Sequence, residues 1–374
     1  MIKRALSSSI KSEIHGGKVI IITGPRQVGK TTLAREIAEK SGLKYIWFNA
    51  DEPDVRSWLT NPTSTQLKHL FGNARLVVID EAQRITNIGI TLKLAVENIP
   101  KVQVIATGSS ALELAGGINE PLTGRKWEYS LYPLAYKELC QHTSPIEEKR
   151  LLEHRMIYGY YPEIVNSPGR EPELLNNLIN SYLFKDILTL EQVRKPALVE
   201  KILQLLAFQT GSEVSFNEIG KMAGADNQTV ERYVDLLQKV YVVYSIHSFS
   251  RNLRNELKKS RKIYFWDNGI RNSLIRNFNS LSLRNDTGAL WENFLVTERL
   301  KSLHYSKVSS GCYFWRTAGQ QEIDYIEESG GIIHGYEFKW SDRSKTRIPK
   351  SFILAYPNSK VEIITKKNFT DFLV

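Results

Sequence analysis

Residues 24–31 read Gly24-Pro25-Arg26-Gln27-Val28-Gly29-Lys30-Thr31, and this stretch decides the fold. It fits G-x-x-x-x-G-K-[ST], and its flanks match what that pattern needs. Upstream, Lys18 to Thr23 (KVIIIT) is a short β-branched run that reads as a buried strand. Downstream, Thr32 to Lys40 carries Leu33, Ala34, Ile37 and Ala38 at helical spacing, and Gly42 ends it. Strand, glycine loop, helix is the order in which backbone N–H groups converge on phosphate oxygens. Gly24 and Gly29 let the chain curl, and the helix N-terminus adds partial positive charge. Lys30 supplies a point charge for the outer phosphates, and the Thr31 hydroxyl supplies a ligand for Mg²⁺. The expected cradle is Gly24, Pro25, Arg26, Gln27, Val28, Gly29, Lys30, Thr31 and Thr32. Arg26 is equally suited to pairing with an acid.

A second signal completes the first. Leu76-Val77-Val78-Ile79-Asp80-Glu81 is an apolar run ended by two acids. Such a run is weak evidence alone, but downstream of a glycine loop it reads as its partner strand. Asp80 is expected to hold Mg²⁺ through water, and Glu81 to act as general base on the attacking water. Tyr45 to Asn49 reads as another buried strand, and Val102 to Thr107 as a further one, ending in Thr107-Gly108-Ser109-Ser110. This last strand is expected to lie between the glycine-loop strand and the Asp80 strand. Thr107 or Ser109 would then sense the γ-phosphate or position water. The plainer alternative is an ordinary strand-end turn.

The stretches GPRQVGKTTL, LVVIDEAQR and TGSSALEL resemble the bacterial and archaeal ATP-binding proteins of the AAA+ superfamily. The resemblance runs on through Leu122-Thr123-Gly124-Arg125, through Tyr132-Pro133-Leu134 with Glu138, and through Gly159-Tyr160-Tyr161-Pro162-Glu163, so it covers essentially the whole chain. It implies ATP and Mg²⁺ as cofactors, ATP hydrolysis, and a C-terminal domain of unknown function thought to be similar to restriction endonucleases. Arg125 is the candidate arginine finger, acting within the chain or from a neighbouring copy, against the alternative of a surface arginine.

The expected divisions are an ATPase core over 1–133, a helical lid over 134–195, a winged helix-turn-helix over 196–250 and a nuclease-like domain over 251–374. The lid reading rests on helical periodicity, with Glu171 to Leu190 as its longest amphipathic piece; a plain packing layer reads the same way. For the winged helix, Leu198 to Phe208 is a helix, and Ser215 with Glu218 forms a capping box. Gly224 turns the chain into a helix capped by Asp226, and a strand follows from Val240. The exposed face of that third helix includes Glu231 and Asp235, which repel phosphates and favour a connector over a DNA reader. A basic stretch at 251–276 (Arg251, Arg254, Lys258, Lys259, Arg261, Lys262, Arg271, Arg276), interleaved with Tyr264, Phe265 and Trp266, is the expected non-specific DNA patch.

In the C-terminal part, Thr287 to Leu303 reads as a helix. Strands are expected at 312–316, 321–327 and 332–340. With Gly330-Gly331 as a two-residue hairpin loop, Asp324 faces Glu337, and Ile323, Tyr325, Tyr336 and Phe338 make the apolar face. Two opposed carboxylates call for a cation between them. Asp…Glu-x-Lys is the restriction-endonuclease pattern. Asp324, Glu337 and Glu292 are thus expected to hold Mg²⁺, with Lys339 as the catalytic lysine acting on the attacking water. A solvated sheet face, or a nuclease fold that does not cut, are the alternatives.

Composition sets the outer limits. At 374 residues, two or three domains are expected. The formal charge of +10 favours an anionic partner. Cys140 and Cys312 form no metal-type pair, which points to a reducing compartment without structural zinc. No stretch approaches the roughly 18 apolar residues that a membrane helix needs, so a cytoplasmic protein is expected, as a monomer or a homo-oligomer. The functional expectation is an ATPase whose nucleotide state controls a DNA-acting nuclease-like domain. The alternative is an ATP-driven signalling or scaffold switch.

Overall fold

A computed structural model describes all residues except 1, 15, 110–120, 181–194, 251–259, 318, 342–347 and 374. The chain divides into two compact units: Met1–Leu134 with Lys239–Tyr241, and Ala135–Gln238 with Val242–Val374.

The first unit is an α/β layer structure. Its strands are β1 (Val19–Thr23), β2 (Tyr45–Asn49), β3 (Leu76–Asp80), β4 (Gln103–Thr107) and β5 (Lys126–Ser130). They form one parallel sheet in the order β2-β3-β4-β1-β5. β4 therefore lies between β1 and β3, as the sequence predicts. The central strands β1, β3 and β4 are buried along their whole length because helices cover both faces of a parallel sheet. Alternate residues Val19, Ile21, Val77, Ile79, Val104 and Ala106 join Phe48, Leu67, Phe71 and Leu92 in one core. Each such fully buried Ile or Leu contributes about 1.5–3 kcal/mol. β2 is an edge strand with Tyr45 exposed, not the buried strand expected of YIWFN. Asp51 to Phe71 folds as two helices, Pro53–Leu59 and Ser64–Phe71, the second held by a capping box between Thr63 and Gln66.

The second unit carries β6 (Glu213–Val214), β7 (Val243–Ser248), β8 (Arg261–Phe265), β9 (Gly311–Arg316), β10 (Glu322–Ser329), β11 (Ile332–Phe338) and β12 (Lys360–Ile364). These make one seven-stranded sheet, ordered β12-β11-β10-β9-β7-β8-β6. The divisions expected at 195 and 250 therefore correspond to no break in packing. β7 pairs with both β8 and β9, so the hairpin after the third helix and the C-terminal strands share one sheet. The element order Pro196–Phe208, β6, Phe216–Ala223, Asn227–Lys239, β7, β8 is as expected. Gly224 makes its turn in the left-handed region at φ +81°.

The helices expected to form a separate lid are a layer of this unit. Leu152–Tyr158 and Glu171–Leu178 pack on Asn268–Leu274, and the N-terminus of helix Tyr136–His142 donates Tyr136 N–H to Glu298 at 2.6 Å. The amphipathic continuation through Tyr182, Leu183 and Ile187 lies outside the described residues.

The β10–β11 hairpin has the predicted register, with Tyr325 opposite Tyr336 and Ser329 opposite Ile332. Its faces differ from the prediction. The pairing of β10 with β9 shifts between Ile323 and Ile326, a β-bulge that breaks strict alternation. Ile323 therefore joins Ile326, Ile333, Trp315 and Phe352 in one core, while Tyr325, Tyr336 and Phe338 cluster around Phe372.

Candidate functional site

The glycine loop leaves β1 at Thr23. Gly24 adopts φ +148°, and a Cβ there would meet the Leu131 carbonyl oxygen at 2.1 Å, so only glycine fits. Gln27 (φ +61°) and Gly29 (φ +94°) complete the curl, and Gly29 caps the helix Lys30–Lys40. Pro25 and Val28 are buried, Arg26 and Gln27 are partly exposed, and Thr32 is exposed on the first helical turn. Lys30 is buried, and its ammonium donates to the carbonyls of Gly24 (3.0 Å) and Pro25 (2.8 Å). The ammonium thus lies over the mouth of the loop.

Because β1, β3 and β4 are parallel neighbours, their C-terminal ends meet at one edge. Asp80 Oδ1 there accepts from the Thr31 hydroxyl (3.1 Å) and from the Thr107 hydroxyl. Thr107 is fully buried and in turn accepts the Glu81 N–H (3.4 Å). Glu81 sits in the left-handed region at φ +54°, ψ +39°, a conformation that costs a non-glycine residue about 1–3 kcal/mol. Its carboxylate accepts from Gln83. Ser109 is buried beyond the strand end. Lys30, Thr31, Asp80, Glu81 and Thr107 are thus brought together. A Mg²⁺ ion keeps several waters and is held by one or two carboxylates plus substrate phosphates, which a hydroxyl and one carboxylate beside the loop suit.

Arg125 is not brought there. Its carbonyl accepts Val19 N–H at the start of β1, and its guanidinium pairs with Glu97 at 2.9 Å. The loop leaves the other end of that strand, about 13 Å away at the usual rise per residue. Within its own chain, Arg125 thus stands away from the loop.

A residue without a motif does reach the loop. Arg4 is buried, donating to Val28 O (2.6 Å) and Tyr132 O (2.7 Å), which ties the loop backbone to the segment after β5. Nothing in the sequence marks it beyond a basic residue before an apolar helix.

The second unit holds the acids expected to bind metal. Lys262, on β8, is 2 % exposed; its ammonium lies 2.9 Å from Glu292 and 2.5 Å from Glu322. Tyr264 also donates to Glu292 (2.7 Å). Lys339 lies 2.9 Å from Glu337 and 3.7 Å from Asp324, whose carboxylate accepts Phe338 N–H at 2.8 Å. Among the described residues, no three His, Cys, Asp or Glu side chains are gathered so as to hold a metal ion. Each acid of the expected metal set meets a lysine, Glu292 with Lys262, and Asp324 and Glu337 with Lys339. Burial, reinforced by the neighbouring Asp324, pushes the Glu292 and Glu337 carboxyls up to about 7. Burial pulls the Lys262 ammonium down, but Glu292, Asp324 and Glu322 outweigh it and hold it above its ordinary value.

Part of the expected basic patch is buried. Lys262 and Arg271 are buried, Arg271 against Asp286 at 2.5 Å, and Tyr264, Phe265 and Trp266 are core residues. Arg261 stacks on Phe216 and lies 3.8 Å from Glu231. Arg276 is exposed, and Arg251, Arg254, Lys258 and Lys259 lie outside the described residues. Both cysteines are free thiols, and no described helix is long and apolar enough to cross a membrane.

Comparison with known proteins agrees with the first unit's geometry. Residues 16–140 match the family model described as an AAA domain. Residues 149–281 and 287–371 match two families described only as domains of unknown function. An uncharacterized protein of Mycobacterium tuberculosis is 27 % identical over 90 % of this chain and 74 % of its own length, and one from Mycobacterium bovis matches equally. An uncharacterized protein of Haemophilus influenzae is 24 % identical over 68 % of each chain. Among solved structures, the Thermotoga maritima RuvB Holliday junction branch migration motor aligns with 70 % of this chain and 92 % of its own. That alignment has 16 % identity and a TM-score of 0.32, too weak a likeness to carry any argument. Residues 16–140, within the first unit, thus resemble an AAA domain.

Proposed function

We propose that the first unit is a Mg²⁺-dependent ATPase. Lys30 and the backbone N–H groups of residues 26–31 bind the β- and γ-phosphates, the ammonium exchanging two neutral carbonyls for an anion. Thr31 and Asp80, the latter through water, hold Mg²⁺, which when bound neutralises charge developing on the transferred phosphoryl group. Glu81 takes the proton of the attacking water, and Thr107 fixes Asp80 and the Glu81 backbone. The observation that carries this reading is Asp80 accepting both hydroxyls at the rim of the glycine loop. The test is Glu81→Gln: ATP binding should persist while turnover falls by about 10²–10⁴. Wild-type turnover in that variant would end the reading.

We further propose that nucleotide state controls the second unit, with Arg125 reaching a nucleotide only in a neighbouring copy of a homo-oligomer. Two outputs were expected of that unit: DNA cleavage, or binding of a protein partner. The burial of Lys262, Arg271 and the three aromatics takes them out of any DNA contact and favours the protein partner. The three helices 196–239 with β7 and β8 then serve as a winged-helix connector, consistent with Glu231 and Asp235 on the third helix. Filter binding to duplex DNA across a salt series checks this; affinity falling steeply with salt would restore the DNA reading.

A further inference from the structure

The restriction-endonuclease pattern implies a divalent ion among Glu292, Asp324 and Glu337, and the donor atoms there are already in use. We propose that Lys262 is the resident cation of this cluster, filling the position a divalent ion would need, so that the second unit folds and works without metal. Three observations carry this.

The first is occupancy. The Lys262 ammonium lies 2.9 Å from Glu292 Oε1 and 2.5 Å from Glu322 Oε1. A divalent ion bound by Glu292 would sit within a few ångströms of that ammonium, and repulsion at that range is large in a buried site.

The second is rigidity. β8 pairs on both sides, Lys262 facing Ile246 of β7 and Glu213 of β6, so the lysine backbone cannot swing aside. Tyr264, two residues on along the same strand, donates to the same Glu292 oxygen. Gly211 lies beside the Glu292 carboxylate, where an added Cβ would be in ordinary contact with it.

The third is the remaining donor set. Without Glu292 only Asp324 and Glu337 are left. Asp324 is hydrogen-bonded to Phe338 N–H, and Lys339 lies against both. A Mg²⁺ ion there would have to share these two carboxylates with Lys339. Glu322, outside the expected trio, is the fourth carboxylate, and Arg316 stands 3.9 Å from it. Lys262, Lys339 and Arg316 thus do for four carboxylates what a metal does in a metal-dependent nuclease. The inference concerns the second unit alone and holds whether or not the first hydrolyses ATP.

The test is Mn²⁺ titration of the full chain without nucleotide, followed by the free-ion paramagnetic resonance signal. Asp80→Asn is present in every arm to silence the first unit. The reference chain should bind no stoichiometric Mn²⁺, and its melting temperature should not move with EDTA. Adding Lys262→Met should create a site for one Mn²⁺ at least about tenfold tighter than anything in the reference chain. A reference chain that binds one Mn²⁺, and loses it with Glu337→Gln, would overturn the proposal. So would a folded Lys262→Met chain with no gain. If Lys262→Met does not fold, the reference chain and its Glu337→Gln variant decide alone, by the same criteria.

Discussion

At the edge of the first unit's sheet, Lys30 lies over a loop of glycines and donates to two neutral carbonyls, while Asp80 is reached by hydroxyls. In the sheet of the second unit, Lys262 and Lys339 lie directly on Glu292, Glu322 and Glu337. Both regions collect lysine, acid and hydroxyl groups at strands. The difference is in what satisfies the cation. A lysine on carbonyls gains when a phosphate arrives, because a charged acceptor replaces neutral ones. A lysine already on a buried carboxylate has nothing to gain from a ligand, and removing it leaves a charge without a partner. On the reading proposed above, the first arrangement is a site and the second a structural network.

The sharpest way to break this contrast is to remove each lysine. Lys30→Ala should lower ATP turnover by about 10²–10³ while leaving the thermal melt nearly unchanged, since one preorganised donor to the transferring group is lost. Lys262→Ala should do the reverse, destabilising the second unit by about 3–5 kcal/mol in urea denaturation because it strands Glu292 and Glu322. Equal effects of the two on stability would erase the distinction.

Gly24→Ala tests whether loop shape or charge dominates in the first unit. Its Cβ would strike the Leu131 carbonyl, so the loop must move, and a misplacement of about 1 Å can cost roughly 10²-fold in kcat/KM. Wild-type kinetics would show that the loop tolerates another shape.

Arg4→Ala should raise KM for ATP about tenfold with kcat nearly unchanged, as expected when support for ground and transition states is lost equally. Arg4→Lys should recover part of this. A fall in melting temperature with KM unmoved would leave Arg4 a purely structural residue.

The smallest expected effect concerns pH. Asp267 is buried and its carboxyl is pushed up to about 6, burial outweighing the Tyr160 and Ile270 N–H groups that hydrogen-bond it and the charge of Lys301. The native state therefore holds a proton that the unfolded chain has lost between about pH 4 and 6. Its contribution to stability is present below pH 4 and is lost as pH rises through 6. Urea midpoints at pH 4.5 and pH 7 should show this decline, and Asp267→Asn should reduce it. An undiminished slope in that variant would assign the decline to other groups.

The nucleotide site was legible because its parts are local. A β-branched strand, two glycines at fixed spacing, Lys30 and Thr31 specify backbone shape within one short stretch, and Asp80 follows from where an apolar strand ends. Thr107 follows from a strand order that parallel sheets of this kind share. The hairpin register was also local, since Gly330-Gly331 fixes which residues oppose each other. What failed was everything that depended on partners far along the chain. Lys262, Arg271, Tyr264, Phe265 and Trp266 look like a nucleic-acid patch when read in line, and it is the pairing of β8 and the packing of distant helices, among them Pro196–Phe208 and Thr287–Tyr305, that bury them.

The sequence alone therefore determined a strand, glycine loop and helix, the Asp80 strand end beside them and the hairpin that sets Asp324 near Glu337. Backbone conformation and short-range spacing carry those features. Tertiary structure decided the rest: that Arg125 lies at the far end of its strand, that Arg4 braces the loop, and that a lysine from a distant strand neutralises Glu292. Charge compensation in a buried site depends on distances of a few ångströms between residues far apart along the chain, and no linear pattern encodes such distances.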